Sequence, residues 1–250
     1  MTRVLAVKRA FLPMFTSWKK KCGALPGLAL LACGALASVT ACGAESAVVV
    51  PAPAVDSPKA AGSAQTAVLA GGCFWGVQGV FQHMRGVRQA VSGYAGGDRA
   101  SADYETVSSG RSSHAESVQI TYDPAQVSFG EILQVFFSVV HDPTQLDRQG
   151  PDHGAQYRSA IFYANDEQKR IAEAYIAQLE KAKVYRGSIV TRVDPLDERF
   201  FEAEGYHQDY MINNPRNPYI VINDLPKVQN FARTFPALYR PQAVTVANGR

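Results

Sequence analysis

Cysteine is scarce in this 250-residue chain, with four in all, at positions 22, 33, 42 and 73. Three of them fall within the first 42 residues, so the remainder can form no disulfide within itself and has no second thiolate near Cys73 with which to hold a metal. The five histidines show no H-E-x-x-H or comparable ligand spacing. Acidic residues are missing from positions 1–41, where Arg3, Lys8, Arg9, Lys19, Lys20 and Lys21 lie. These six bases carry the net charge of +3: from position 42 onward, 22 acidic side chains face 19 basic ones, and the charge balance gives no argument for nucleic-acid binding. There is no internal repeat. What is present, 46% apolar and 10% aromatic residues, suffices to bury a core and excludes disorder throughout.

The first 41 residues have the order of an export signal, a basic stretch ending in Lys19-Lys20-Lys21 followed by an uncharged apolar run from Ala24 to Ala41. Val39-Thr40-Ala41-Cys42 resembles the lipobox of bacterial lipoproteins, which implies that Cys42 is lipidated and becomes the new N-terminus. Leu30-Leu31-Ala32-Cys33 is a weaker match. Cleavage without lipid and an uncleaved anchor are the alternatives, the run being close to the minimum length of a membrane span. All three put the folded part in the periplasm or cell envelope. Residues 42–65, rich in Ala, Pro, Ser and Gly, read as a flexible linker.

Ordered patterning begins at Thr66 and continues to about Arg240. The run 66–71, closed by glycines, reads as a buried strand. Trp75, Val77, Val80, Phe81 and Met84 share a helical face, with Gly86 as a stop. Strands are expected over 87–94 and 116–122, the second with period-two alternation ended by Asp123-Pro124. Ser128 and Glu131 form a capping-box pattern ahead of a helix carrying Ile132, Leu133, Val135, Phe136 and Val139. A strand over 158–163, a helix over 166–183 capped by Asn165, a strand over 188–193 and a short helix over 226–231 complete the pattern. Strands interleaved with helices predict an α/β fold, an α+β sandwich in a single domain over 66–240. The tail 241–250 carries no signal.

Cys73 stands alone in that domain, either buried and inert or present for its chemistry. Gly71-Gly72-Cys73-Phe74-Trp75-Gly76 puts it at a strand-to-helix junction, where unpaired amides and the helix dipole are expected to lower a thiol's pKa and favour the nucleophilic thiolate. The glycines do not fit a dinucleotide-binding loop.

Gly-Cys-Phe-Trp-Gly at 72–76 resembles the signature of the A-type peptide-methionine sulfoxide reductases. The resemblance continues, in order, through Gly-Tyr-Ala-Gly-Gly at 93–97, Asp-Tyr-Glu-Thr-Val at 103–107, His-Ala-Glu at 114–116, Tyr-Asp-Pro at 122–124, Asp-Pro-Thr at 142–144, Asp-His-Gly-Ala-Gln-Tyr-Arg-Ser at 152–159 and Gly-Tyr-His-Gln-Asp-Tyr at 205–210. It implies a ferredoxin-like two-layer plait with a mixed sheet, and reduction of the S epimer of methionine sulfoxide through a Cys73 sulfenic acid. It further implies Glu116 as the proton donor, held partly protonated by burial, Tyr104 and Tyr157 as the phenols that orient the oxygen, Phe74 and Trp75 as the pocket for the methyl group, and Asp152 as a substrate-positioning residue. His114, His207, Tyr94 and Arg158 are expected to be structural. No prosthetic cofactor and no metal are expected.

One departure stands out. Many members of that family carry resolving cysteines near the C-terminus, and here none follows Tyr210. An external thiol, thioredoxin-like or glutathione with glutaredoxin, is therefore expected to regenerate Cys73, with Cys42 a remote alternative along the linker. The expected partners are oxidised proteins or peptides, that reductant, and the membrane through the leader alone, the domain being a monomer. Two other readings of a lone reactive cysteine are a thiol peroxidase or redox sensor, and a lipoprotein that binds oxidised methionine without turnover.

Overall fold

The computed structural model describes residues 46–197 and 199–247. The leader and Cys42 lie outside the described residues. The elements are β1 (Gln65–Gly71), α1 (Phe74–Gln82), β2 (Val87–Ala95), α2 (Tyr104–Ser108), β3 (Ala115–Tyr122), α3 (Phe129–Val135), β4 (Arg148–Gln149), β5 (Asp152–His153), β6 (Ser159–Tyr163), α4 (Asp166–Ala182), β7 (Arg192–Pro195), β8 (Phe201–Glu202), α5 (Tyr210–Asn213) and α6 (Leu225–Thr234). Wider π turns extend α3 over Phe136–Val140 and precede α6 over Ile220–Asp224.

Six strands form one sheet in the order β7-β6-β1-β3-β2-β8. The central strands pair antiparallel and β6 pairs β7 in parallel, so the sheet is mixed, as expected. β1, α1 and β2 leave between the two strands a gap that β3 fills, and β6 flanks β1 on its other side, which is the split β-α-β arrangement of a ferredoxin-like plait. Side chains alternate between two cores. Leu69, Tyr94, Val118, Ile120 and Ile161 pack under the helices, while Val68, Ala70, Ala95, Ala115, Ala160 and Phe162 face the opposite side, where Leu196 and Phe200 cover them. β1 is buried on both faces, which explains its unbroken apolar run.

Two expectations are corrected. The linker is not free over residues 48–59. The Val48 amide donates to the Ser138 carbonyl, Val50 is fully buried, Tyr175 donates its hydroxyl to the Pro51 carbonyl, and Asp56 accepts from the Gly130 amide and the Ser128 hydroxyl. This strap lies across α3 and α4. The strand expected over 188–193 is shifted to Arg192–Pro195, because the Val190 amide is engaged by the Pro143 carbonyl and is lost to the sheet. The tail is docked, with the Val244 amide on the Gln82 carbonyl and the Val246 amide on the Asp209 carboxylate. No helix among the described residues is long and apolar enough to cross a membrane.

Candidate active site

At the end of β1 the chain reverses through Gly72, whose φ of +93° is a left-handed conformation that glycine adopts without strain, and Cys73 follows as the N-cap of α1. Its side chain makes no capping bond. The unpaired amide of Phe74 is answered from the sheet instead: Glu116, paired opposite Tyr94 on β3, reaches under the helix and accepts from that amide at 3.0 Å through Oε2. Glu116 is 2% exposed, on the helix-covered side with Val118 and Ile120.

Cys73, Phe74, Trp75, Tyr104, Glu116, Asp152, Tyr157 and Tyr219 line one cavity of about 200 Å³. Every site residue singled out in the folded region is thus gathered in one place, from five separate segments. Trp75 forms a wall, stacked on Tyr210 at 3.8 Å between ring centroids, with its Nε1–H donating to His207 Nδ1 at 3.2 Å. His207 is buried among Phe74, Trp75 and Tyr104, and burial lowers its pKa, so the ring is neutral. Tyr104 sits at the rim, its backbone amide held by Glu204, which also accepts from the Tyr94 hydroxyl. Tyr157 ends a short turn, Ala155–Tyr157, and the Arg158 guanidinium clamps the Ala155 and Ser113 carbonyls on either side of the site. His114, His207, Tyr94 and Arg158 all make such supporting bonds.

Two residues here escaped sequence reading. Tyr219 donates its hydroxyl to Asp152 and meets Trp75 edge-on. Asp224 is completely buried beside the first turn of α1. Neither lies in a patterned stretch, and both are brought in by the turn at 214–217 and the π turn after it.

The electrostatics separate the groups. Burial pushes Glu116 up to about 8 against the hydrogen bond from Phe74, with Asp152 and Asp224 adding to the rise. Near pH 7 it is therefore mostly an acid. Burial also raises both phenols, Tyr104 and Tyr157, with the Glu116 charge next in importance, keeping them as donors. For Cys73 the expectation of a lowered thiol is overturned: burial first, then Glu116 and Asp224, hold it well above its ordinary value, against a smaller opposing pull from the Trp75 amide. A larger cavity of about 500 Å³ between Gly96 and Arg199 has arginines, aspartates and Ser113 on its walls and no thiol. Among the described residues no group of three or more His, Cys, Asp or Glu is placed to hold a metal.

A neutral carboxylic acid, two phenol donors, a thiol and an aromatic wall around one small cavity can deliver a proton and a sulfur nucleophile to one polar atom of an otherwise apolar group. Residues 65–238 match the family described as peptide methionine sulfoxide reductase. The chain belongs to this family. It is 60% identical over 188 residues to Peptide methionine sulfoxide reductase MsrA 2 of Mesorhizobium japonicum, covering 75% of this chain and 96% of that protein. Among solved structures it is similar to methionine sulfoxide reductase A of Corynebacterium diphtheriae, with 33% identity, a TM-score of 0.54 and coverage of 69% and 89%. It is also similar to reduced Mxr1 of Saccharomyces cerevisiae, with 31% identity, a TM-score of 0.55 and coverage of 62% and 87%. This peptide methionine sulfoxide reductase is thus an enzyme that reduces methionine sulfoxide, and the peroxidase and binding-module readings are not favoured.

Proposed function

We propose that the reductase takes the S epimer of protein-bound or free methionine sulfoxide and reduces it through Cys73. The observation that carries this is the buried Glu116, neutral near pH 7, sharing a small cavity with the Cys73 sulfur and two phenols. Sulfoxide sulfur becomes electrophilic when its oxygen gains a proton. Tyr104 and Tyr157 donate hydrogen bonds to that oxygen, Glu116 gives it a proton, and the Cys73 sulfur attacks. The oxygen passes to Cys73 as the S–O bond of the substrate breaks, the substrate sulfur gains two electrons, and Cys73 is left as a sulfenic acid. The thiol's own proton replaces the one Glu116 gave up. Phe74 and Trp75 take the methyl group on the side away from the oxygen donors, which distinguishes the epimers, while Asp152, fixed by Tyr219, orients the substrate backbone and water.

An external thiol, thioredoxin-like or glutathione with glutaredoxin, then attacks the sulfenic acid, releases water and leaves a mixed disulfide that a second thiol opens. The absence of cysteine after Tyr210 supports this. The basic and apolar leader and the Val39–Cys42 tetrapeptide support a lipoprotein of the cell envelope anchored through Cys42. We read the enzyme as a monomer that repairs oxidised proteins there.

The deciding experiment is a single turnover of the reduced full chain with each epimer of a methionine sulfoxide peptide, without added reductant. One methionine per protein from the S epimer alone, with one oxygen gained on the Cys73 peptide by mass analysis, is the expected result. Methionine from the R epimer, or oxygen on a different residue, overturns the reading. Release of the Cys42→Ala protein from the membrane fraction checks the anchor, and its retention argues for an uncleaved leader.

A further inference from the structure

Asp224 is a buried carboxyl that the proposed chemistry does not use. It lies on the π turn before α6, is 0% exposed, and neither of its oxygens has a hydrogen-bond partner. The Lys227 ammonium, itself 7% exposed, stands 3.5 Å from Oδ1. The pair is packed against the backbone of Gly76, the third residue of α1: a Cβ there would collide with Asp224 Oδ1 and come within 3.2 Å of Lys227 Nζ. Gly76 is thus the residue that admits this carboxylate to the first turn of the helix that Cys73 caps.

A helix N-terminus offers a thiolate two benefits, an unpaired amide and the positive end of the dipole. At α1 both are engaged by carboxyls. Glu116 accepts from the Phe74 amide, and Asp224 sits against the first turn, where a negative charge is favoured. We propose that Asp224, held by Lys227, is a further positioning residue: its carboxylate occupies the field of the α1 N-terminus that would otherwise serve the Cys73 sulfur, so the resting enzyme carries a shielded, unactivated nucleophile. Only thiolates react readily with oxidants and disulfides, so a shielded thiol survives between encounters with substrate. The three carboxyls around the sulfur agree in sign, and the phenols of Tyr104, Tyr157 and Tyr219 beside it are held protonated by burial. Asp224 and Asp152 from β5 disfavour a negative sulfur, as does Glu116 from β3 once it ionises, while Lys227 from α6 is drawn to Asp224 and Asp152. Asp224 is held at about 6, raised by burial and restrained by Lys227, so it is largely ionised at pH 7.

The inference rests on Cys73 being the nucleophile of the proposed reaction. Its test is the rate of iodoacetamide alkylation of the full chain against pH, read on the Cys73 peptide by mass spectrometry. Asp224→Asn is expected to move the midpoint to lower pH by a unit or more, which is about tenfold faster alkylation at pH 7 for each unit. Asp224→Glu, which restores the charge, is expected to move it back. An unchanged or higher midpoint in folded Asp224→Asn, or a Glu variant as reactive as the Asn one, overturns the proposal. Should Asp224→Asn not fold, Asp224→Asn with Lys227→Met removes both buried charges and is read the same way: a lowered midpoint supports the proposal and an unchanged or raised one overturns it. If the midpoint falls while Cys73→Ser still reduces sulfoxide, the charge effect of Asp224 stands and the assigned nucleophile does not.

Discussion

At the start of α3 two unpaired amides are answered from nearby in the chain, the Ser128 hydroxyl accepting from the Glu131 amide and the Glu131 carboxylate from the Ser128 amide, while Asp56 of the strap accepts from Gly130. At the start of α1 the N-cap is a cysteine that makes no such bond, and the amide behind it is answered by Glu116, 42 residues away. Both helices have a carboxyl at the N-terminus. Glu131 is partly exposed, with Lys59 beside it, whereas Glu116 is sealed under the helix and has become an acid of about 8. The same electrostatic preference makes a stable helix start where water reaches the carboxyl, and a proton donor where it does not.

The largest break in this comparison is at Cys73. Cys73→Ser leaves α1 capped by an oxygen and is expected to abolish turnover of a methionine sulfoxide peptide while circular dichroism and the melting temperature show an intact fold. Next, Glu116→Gln keeps an acceptor for the Phe74 amide and removes the proton, and the single-turnover rate is expected to fall by about 10² to 10⁴. The pH profile sharpens the point. The wild-type kcat/KM should fall as pH rises through about 8, where Glu116 ionises, and this limb should disappear from whatever activity the Gln variant retains. The sign for stability is the same: with the folded value raised above the ordinary 4.5, the unfolded chain holds fewer protons between the two values, so denaturant midpoints should decline as pH climbs from 4.5 through 8.

The other helix start should respond in stability alone. Ser128→Ala is expected to cost about 1 kcal/mol in urea unfolding and to leave turnover unchanged; a loss of activity at constant stability would mean that the two helix starts are coupled. Smallest of all, Lys59→Ala breaks the ion pair with the partly exposed Glu131 and should change stability by no more than about 0.5 kcal/mol.

The same pair of helices explains what could be read from the sequence. Ser128-x-x-Glu131 is a local pattern, and the alternation of β3 and the apolar face of α1 are equally local; each predicted its element. The site was legible because its blocks resemble a known family, which gathered Tyr104, Glu116, Asp152 and Tyr157 around Cys73 before any distance was available. The thiol's protonation was misjudged because a rule for helix N-termini takes no account of the burial of the sulfur, nor of carboxyls arriving from β3, the π turn and β5. The strap was taken for a free linker because Ala, Pro and Ser show no periodicity, yet its carbonyls are fixed by Tyr175, Gln134 and Gln178 from α3 and α4. Asp224 matters only through Gly76, a neighbour in space and not in sequence.

The stack of Trp75 on Tyr210 has an optical consequence. The chain has two tryptophans, Trp18 in the leader and Trp75 in the pocket wall. Beyond Cys42 the protein therefore contains a single indole, with its face against a phenol, its N–H on a neutral imidazole, and a place in the wall of the cavity that Cys73 lines. In a chain shortened to start after Trp18, light that excites indole but not tyrosine interrogates this ring alone, so changes in the cavity it lines can be followed in real time by emission from an unlabelled enzyme.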